Sequence, residues 1–496
     1  MNVQPIRRPI SSVEADILAV GLFDGETGGI PPGLQGTALS GTLARLIEAK
    51  DLPRSVGDVI PLLGLSGPGT SATATVVLGL GPREKFDAGT AFSAGVALGK
   101  KLGSRARGHV ALLLPEAGDP AAIASAIVEG AIVGTRGPDL RKSESSRHPF
   151  QTLSLVLPAD APASVDDAVR RGAIVGEAVN LARDLANTPP AEKRPTVLAA
   201  RAREVGEAAG LAVTVWDRAR IEKERFGGLI GVAAGSEEPP AFVILEHRRG
   251  GDRPTLALVG KGVTFDSGGL SLKPTASMED MKSDMTGAAV VLAAMTAVSR
   301  LGLEANVVGY LAITENMVNG RAMRLGDVLT MRNGKTVEIL NTDAEGRLIL
   351  ADALSYAAEQ EPDRILDLAT LTGACIVALG NRIAGLFSND SGFADEVARA
   401  GQATGERTWR LPLDDDFQEL LKSSVADLKN VGGKWGGAVT AAKFLEEFVA
   451  RRPWVHLDIA GPSWAESEGS TRDAGGTGCF VRTLVALIER SVAPAT

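Results

Sequence analysis

The sequence predicts an α/β protein of two domains, the smaller first, the larger built on a central mixed, mostly parallel sheet flanked by helices. Three observations predict it. The chain has 496 residues, and single hydrophobic cores stop growing at roughly 250–300 residues. Short apolar runs alternate with helical stretches through both halves, which is the pattern of βαβ units. A long helical stretch, Val165–Leu185, runs into Asn187-Thr188-Pro189-Pro190, and paired prolines end a helix and stiffen the connection after it. The expected division is therefore 1–164, a linking helix and junction over 165–190, and 191–496.

In the first domain, Ala74–Leu80, Val110–Leu114 and Leu153–Leu157 read as buried strands. Ala88–Leu102 and Ala121–Val133 have helical spacing with few breakers. In the second, the strand candidates are Ala212–Val215, Ala241–Leu245, Leu256–Val259, Ala305–Ile313, Val337–Leu340 and Ile365–Leu368. Helices are expected over Thr196–Ala209, Ala288–Arg300, Leu348–Glu359 and Val439–Val449. No internal repeat is apparent.

Composition narrows the function. A hydrophobic share of 44% and a charged share of 23% are those of a soluble globular protein. The net charge of -8 repels phosphate backbones, so nucleic-acid binding has no general electrostatic support. The basic run His247-Arg248-Arg249 reads as a solvated turn. Cys375 and Cys479 form no CxxC spacing, which fits a reducing compartment. Arg7 and Arg8 precede an apolar run interrupted by Glu14 and Asp16, which is not a signal peptide. No stretch approaches the roughly 18 uninterrupted apolar residues of a membrane span. A cytoplasmic protein without a membrane partner is expected.

Several common signatures are missing. There is no HExxH, and His109, His148, His247 and His456 are scattered. No GxxxxGK[ST] is present. Gly260-Lys261-Gly262 starts like a dinucleotide loop, but Phe265 occupies the third glycine position. Gly64-Leu65-Ser66-Gly67-Pro68 misses the nucleophile elbow by one glycine.

Two segments remain chemically unusual. In Leu256–Gly269 an apolar strand ends in Lys261 and a glycine-lined loop presents Asp266; Lys273 and Asp284 come next. Ligands of open α/β sheets bind just beyond the carboxyl ends of strands, where this loop belongs. The second segment is Asn341-Thr-Asp343-Ala-Glu345-Gly-Arg347-Leu348. In an extended chain Asp343 and Glu345 project to one side, and the helix behind them favours anions at its start. Asp266, Asp284, Asp343 and Glu345 brought together would repel one another, so the cluster needs cations or protons. Without histidine or cysteine, the donors are oxygens and lysine amines, which suit Mg²⁺, Mn²⁺ or Zn²⁺. Four carboxylates exceed what one ion requires and point to a paired site of hydrolytic type. From spacing alone, blander roles stand beside this one: Asp343 as a helix cap, Glu345 as a first-turn dipole partner, Lys261 and Lys273 as solvated lysines.

The segment Asn341–Leu348, NTDAEGRL, resembles the signature of the leucyl aminopeptidase family, also called cytosol aminopeptidases, in its bacterial form. Val259–Leu270, Met281–Gly287, Asn180–Asn187 and Trp435-Gly-Gly-Ala438 resemble the same family in the same order. The resemblance spans roughly Val165 to the C-terminus, and it implies a smaller α/β domain before a catalytic dimetal peptidase domain. Around Gly478-Cys479-Phe480 the chain reads as departing from the commonest family sequence, which leaves pocket shape less defined than the chemistry.

Carried over residue by residue, the resemblance implies that Lys261, Asp266, Asp284 and Glu345 hold one divalent ion. Asp266, Asp343 and Glu345 hold the second, manganese or zinc. Lys273 polarises the scissile carbonyl, and Arg347 holds a bicarbonate acting as general base. Asp284 also receives the substrate amine, while Met281 and Thr370 line the pocket for the first side chain. The implied activity releases an N-terminal residue, leucine and other apolar residues preferred, through a hydroxide activated by two metals. A homohexamer is implied as well. Two rivals come with relatives of the family: a DNA-binding or scaffolding role of the same fold, and a dipeptidase for cysteinylglycine.

Overall fold

The computed structural model describes residues 1–25, 29–62 and 71–492; the serine motif at Gly64–Pro68 lies outside them. The chain forms two compact units. One comprises Met1–Asn180, Ala403–Gly405 and Glu466–Ala474, the other Leu181–Gln402, Glu406–Ala465 and Gly475–Thr496. The division falls inside the helix Ser164–Asn187, and the first unit takes in two short stretches from late in the chain.

The first unit is built on β1 (Asn2–Ile6), β2 (Ile17–Asp24), β3 (Val59–Leu62), β4 (Ala74–Pro82), β5 (His109–Leu113) and β6 (Thr152–Val156). Their order in the sheet is β1-β6-β5-β2-β4-β3, with only β3 antiparallel to its neighbour. Successive side chains of a strand face opposite ways. Ile17 and Ala19 of β2 accordingly enter one core with Leu78 and Leu112, while Leu18, Val20 and Leu22 enter another with Val77 and Leu113. Both faces are covered, which is why these strands read as unbroken apolar runs.

The second unit contains β7 (Ala212–Trp216), β8 (Ala241–Arg248), β9 (Thr255–Asp266), β10 (Asn306–Asn316), β11 (Val328–Thr330), β12 (Thr336–Glu338), β13 (Arg364–Ala369), β14 (Ala384–Ser388), β15 (Thr408–Arg410), β16 (Leu428–Lys429) and β17 (Trp454–Asp458). Eight of them make one sheet, β15-β14-β17-β13-β9-β10-β8-β7, whose central four strands run parallel. The structure is thus the mixed, parallel-rich α/β class expected. Two expectations need correction. Val337–Leu340 is not a strand of the large sheet: β12 is three residues long and pairs with β11 and β16. Lys261 does not end its strand, because β9 continues to Asp266 alongside β10, past Gly260 where its pairing with β13 stops.

The helices Thr286–Leu301 and Gly346–Glu359 pack against this sheet and are almost wholly buried. The stretch Thr275–Leu301 passes for a membrane span by length and mean hydropathy, but Glu279, Asp280, Lys282 and Asp284 interrupt its first half, as expected of a chain without an uninterrupted apolar span, and 89% of its apolar window lies inside the protein. It reads as a core helix with its leading turns.

Candidate metal centre

Strand β9 carries Lys261 and ends on Asp266. Five residues apart, the two would face opposite ways on a regular strand. The pairing of β9 with β10 shifts register between Thr314 and Asn316, opposite Val263 and Asp266, so β9 holds one extra residue there. A bulge of this kind resets the alternation and lets both side chains serve one site.

The loop after Asp266 doubles back so that the Lys273 N–H donates to Ser267 O at 3.0 Å. Gly268 and Gly269 make the turn with φ of +86° and +63°, a backbone region that favours glycine. Side chains fasten the loop to the acidic segment: Thr342 Oγ1 donates to Gly268 O at 2.7 Å and accepts from Ser271 N at 2.7 Å. Asn316 Nδ2 lies 2.8 Å from Asp266 Oδ1 and 3.0 Å from Thr342 O, fixing both segments at once.

The acidic segment is a turn and not the extended chain expected: Asp343 N donates to Asn341 Oδ1 at 2.8 Å, and Ala344 N to Asn341 O. Glu345 takes helical backbone angles at the start of Gly346–Glu359, with no side-chain capping bond. Asn430 clamps this segment from just beyond β16, accepting from Leu340 N at 2.9 Å and donating to Asn341 O at 2.6 Å. Asp284 follows the short turn Met281–Ser283 and accepts from Thr370 Oγ1 at 2.8 Å. Arg347 is buried in the first helical turn and donates to Asn430 O at 2.8 Å.

Lys261 Nζ lies 2.8 Å from Asp284 Oδ1, 3.0 Å from Glu345 Oε1 and 2.9 Å from Thr370 O. Lys273 Nζ lies 2.9 Å from Asp266 Oδ2 and also contacts Asp343. The structure therefore brings Lys261, Asp266, Lys273, Asp284, Asp343, Glu345 and Thr370 into one cluster. Arg347 stands beside it and Met281 three residues before Asp284, neither bonded to the carboxylates. Asp343, with its side chain 32% exposed, marks the open side; Lys261, Asp266, Asp284 and Glu345 are buried.

Burial, then repulsion from Glu345, pushes Asp266 up to about 6. Asp284 and Asp343 are raised too, again chiefly by burial. Burial also penalises Glu345, but Lys261 and Lys273 outweigh it and hold the group below its usual range. The lysines show the converse: burial opposes their charge, yet the carboxylates hold both ammonium groups firmly protonated. Burial lowers Arg347 to about 10.

Four carboxylates face two ammonium groups, an excess of negative charge that a buried site does not sustain unaided. Asp284 Oδ2 and Glu345 Oε2 are buried with no hydrogen-bond partner among the described residues, and unsatisfied buried carboxylate oxygens call for a cation. One oxygen each of Asp266, Asp343 and Glu345 lie within 4.8 Å of one another, close enough to meet on an ion. The donor set, carboxylates and a lysine amine, fits a hard or borderline divalent ion.

The catalytic-domain model of the cytosol aminopeptidase family matches residues 180–485, and the family's N-terminal domain matches 19–143. The chain belongs to the cytosol aminopeptidase family. It is accordingly a metal-dependent exopeptidase, a hydrolase. A probable cytosol aminopeptidase of Rhodopirellula baltica is 43% identical over 91% of this chain and 90% of its own. One from Solibacter usitatus is 42% identical over 98% and 99%. Among solved structures, a tomato leucine aminopeptidase mutant superimposes with a TM-score of 0.86 at 34% identity, covering 99% of this chain and 96% of its own. The bottromycin maturation enzyme BotP in complex with Mn gives 0.85 at 36%, covering 97% and 100%.

Three further residues build the site beyond those the sequence singles out. Asn316, Thr342 and Asn430 hold the metal-side segments together without carrying charge. Thr342 stood inside the signature; Asn316 and Asn430 are polar, buried and at strand ends, and nothing in their flanks marks them.

Proposed function

We propose that the chain releases single residues from peptide N-termini, with leucine and other apolar residues preferred. The observation that carries this reading is the convergence of Lys261, Asp266, Asp284, Asp343 and Glu345, with Lys273 at the same carboxylates. Lys261, Asp266, Asp284 and Glu345 would hold one divalent ion, and Asp266, Asp343 and Glu345 a second, manganese or zinc. Two such ions supply Lewis acidity at the scissile carbonyl and lower the pKa of water to near neutrality.

The residues of the chain do the rest. Lys273, held protonated by Asp266 and Asp343, presents an N–H to the carbonyl oxygen and stabilises charge developing there. Asp284 accepts a hydrogen bond from the substrate amine and so fixes which peptide bond is reached. Met281 and Thr370 flank Asp284 and would bound the pocket for the first side chain. Arg347 has a buried Nε without a hydrogen-bond partner among the described residues, at a helix start, which suits a small anion such as bicarbonate acting as general base.

A homohexamer, a cytoplasmic location and the domain limits 1–164, 165–190 and 191–496 complete the reading. Elemental analysis of the purified protein with a panel of aminoacyl-anilides tests it. About two Mn or Zn per subunit and the fastest cleavage on leucyl-anilide are expected. A metal-free active enzyme, or no cleavage of any anilide by the metal-loaded protein, would overturn it.

A further inference from the structure

Lys193 is a buried cation for which the proposed reaction has no use. It is 2% exposed, lies just past the paired prolines, and meets no carboxylate among the described residues. Its ammonium donates to Leu185 O at 2.7 Å, Ala186 O at 3.3 Å and Lys282 O at 2.6 Å. A lysine has three donors and no acceptor, so its capacity is filled by these three carbonyls. Leu185 and Ala186 belong to the last turn of Ser164–Asn187, where carbonyls lack helical partners and the dipole favours a cation. Lys282 belongs to the turn Met281–Ser283 that leads into Asp284. Burial and the nearby Lys282 push Lys193 down to about 7; charge here is costly, and the carbonyls are what offset it.

We infer that Lys193 is a positioning residue of the metal centre, its ammonium tying the end of the linking helix to the turn that sets Asp284. The inference rests on the proposed role of Asp284 toward metal and substrate amine. The turn's other restraint from a distant segment on this side is the Lys282 ammonium over the Trp464 ring, 5.5 Å from its centroid. Ser283 Oγ and Thr286 Oγ1 bond back to Asp280 O and Ser283 O, within the same local chain. Thr370 and Lys261 hold the Asp284 carboxylate itself. Lys193 instead ties the turn to a separate rigid element about ninety residues away in sequence. Loss of that tie should let Asp284 drift while Asp266, Asp343 and Glu345 stay in place.

The test uses the full chain carrying Lys193→Met, which keeps the stem and removes the donors, and Lys193→Gln, which keeps two N–H donors on a shorter side chain. Affinity for Mn²⁺, followed by competition with a chelator, should fall about tenfold for one of two ions in Lys193→Met, the scale at which supporting residues act. With metal in excess, KM for leucyl-anilide should rise about fivefold with kcat changed less, because the amine contact is what moves. Lys193→Gln should fall between. A lower melting temperature with unaltered Mn²⁺ affinity and KM, in whichever variant folds, would show Lys193 to be structural only and overturn the inference. Absence of metal and cleavage in the unsubstituted enzyme would instead overturn the function on which it rests.

Discussion

Gly346 lies against the Lys261 side chain so closely that a Cβ placed on it would be 2.6 Å from Lys261 Cε and 2.7 Å from Nζ. The glycine after Glu345 is therefore not only a helix starter. It is the space in which the lysine reaches between Asp284 and Glu345. Gly346→Ala should fold, since its backbone is helical, but it must displace the amine. We expect kcat/KM on leucyl-anilide to fall at least about tenfold, or ~1.4 kcal/mol, with weaker metal retention. Wild-type rates and metal content in this variant would show that the lysine position is not critical.

Metal removal should abolish activity, and Mn²⁺ or Zn²⁺ should restore it. Asp343→Ala and Glu345→Ala should lose bound metal together with turnover, because each removes an oxygen from the group that meets within 4.8 Å. Lys261, firmly protonated among the carboxylates, must give up its proton to become a ligand. Metal affinity should therefore rise with pH, and binding should release protons, measurable by titration calorimetry in buffers of different ionisation enthalpy. Proton uptake would contradict the assigned ligand set.

Lys273→Ala should separate catalysis from metal binding. We expect kcat to drop by about 10²–10³, the usual loss for one stabilising donor, while two ions per subunit remain. If both ions leave with Lys273, the residue is organising Asp266 and Asp343 and not serving the substrate carbonyl.

A free N-terminal amine should be required. Acetylation removes the amine's charge and lone pair and adds bulk at Asp284, which is buried and already engaged by Lys261 and Thr370. N-acetyl-leucyl-anilide should react at least about a thousandfold more slowly than leucyl-anilide, roughly 4 kcal/mol in transition-state stabilisation. Equal kcat/KM for the two would remove the exopeptidase reading and leave the metal site standing.

Stability should carry a pH signature from His456. Its Nδ1 lies 2.6 Å from Asp367 Oδ1, and Asp367 Oδ2 accepts from Trp454 Nε1 at 2.7 Å, all buried. Burial alone would lower the imidazole, but Asp367 and then Asp458 outweigh it and raise it. A raised histidine stabilises the fold fully below its unfolded pKa of about 6.5, and that stabilisation is lost as pH rises through the higher folded value. His456→Gln should therefore destabilise more at pH about 6 than at pH about 9, as read from denaturant unfolding. An equal loss at both would mean that His456 is neutral throughout.

Much of the fold was legible in the chain. The helix expected over Ala88–Leu102 has those limits, and Ala212–Val215, Ala241–Leu245 and Ile365–Leu368 all lie within observed strands. These elements bury apolar faces, so their periodicity survives in the sequence. Trp454–Asp458 escaped, although it is a central strand, because His456 and Asp458 break the apolar run; both are buried on hydrogen-bond partners that come from elsewhere in the fold.

The same boundary runs through the site. The chemistry on offer could be read from residue types alone: carboxylates and lysines, no histidine ligand, and a signature that pointed to the family. Residue type is a property of the chain and needs no fold to be read. How Lys261 and Asp266 come to face the same way could not, since one extra residue in β9 opposite Thr314–Asn316 reverses the alternation. Nor could the convergence of Asp343 and Glu345 through a turn held by Asn341 and Asn430, or the reach of Lys193 across to the Asp284 turn. Those outcomes depend on pairing register and on hydrogen bonds between segments far apart in the chain, which no local pattern encodes.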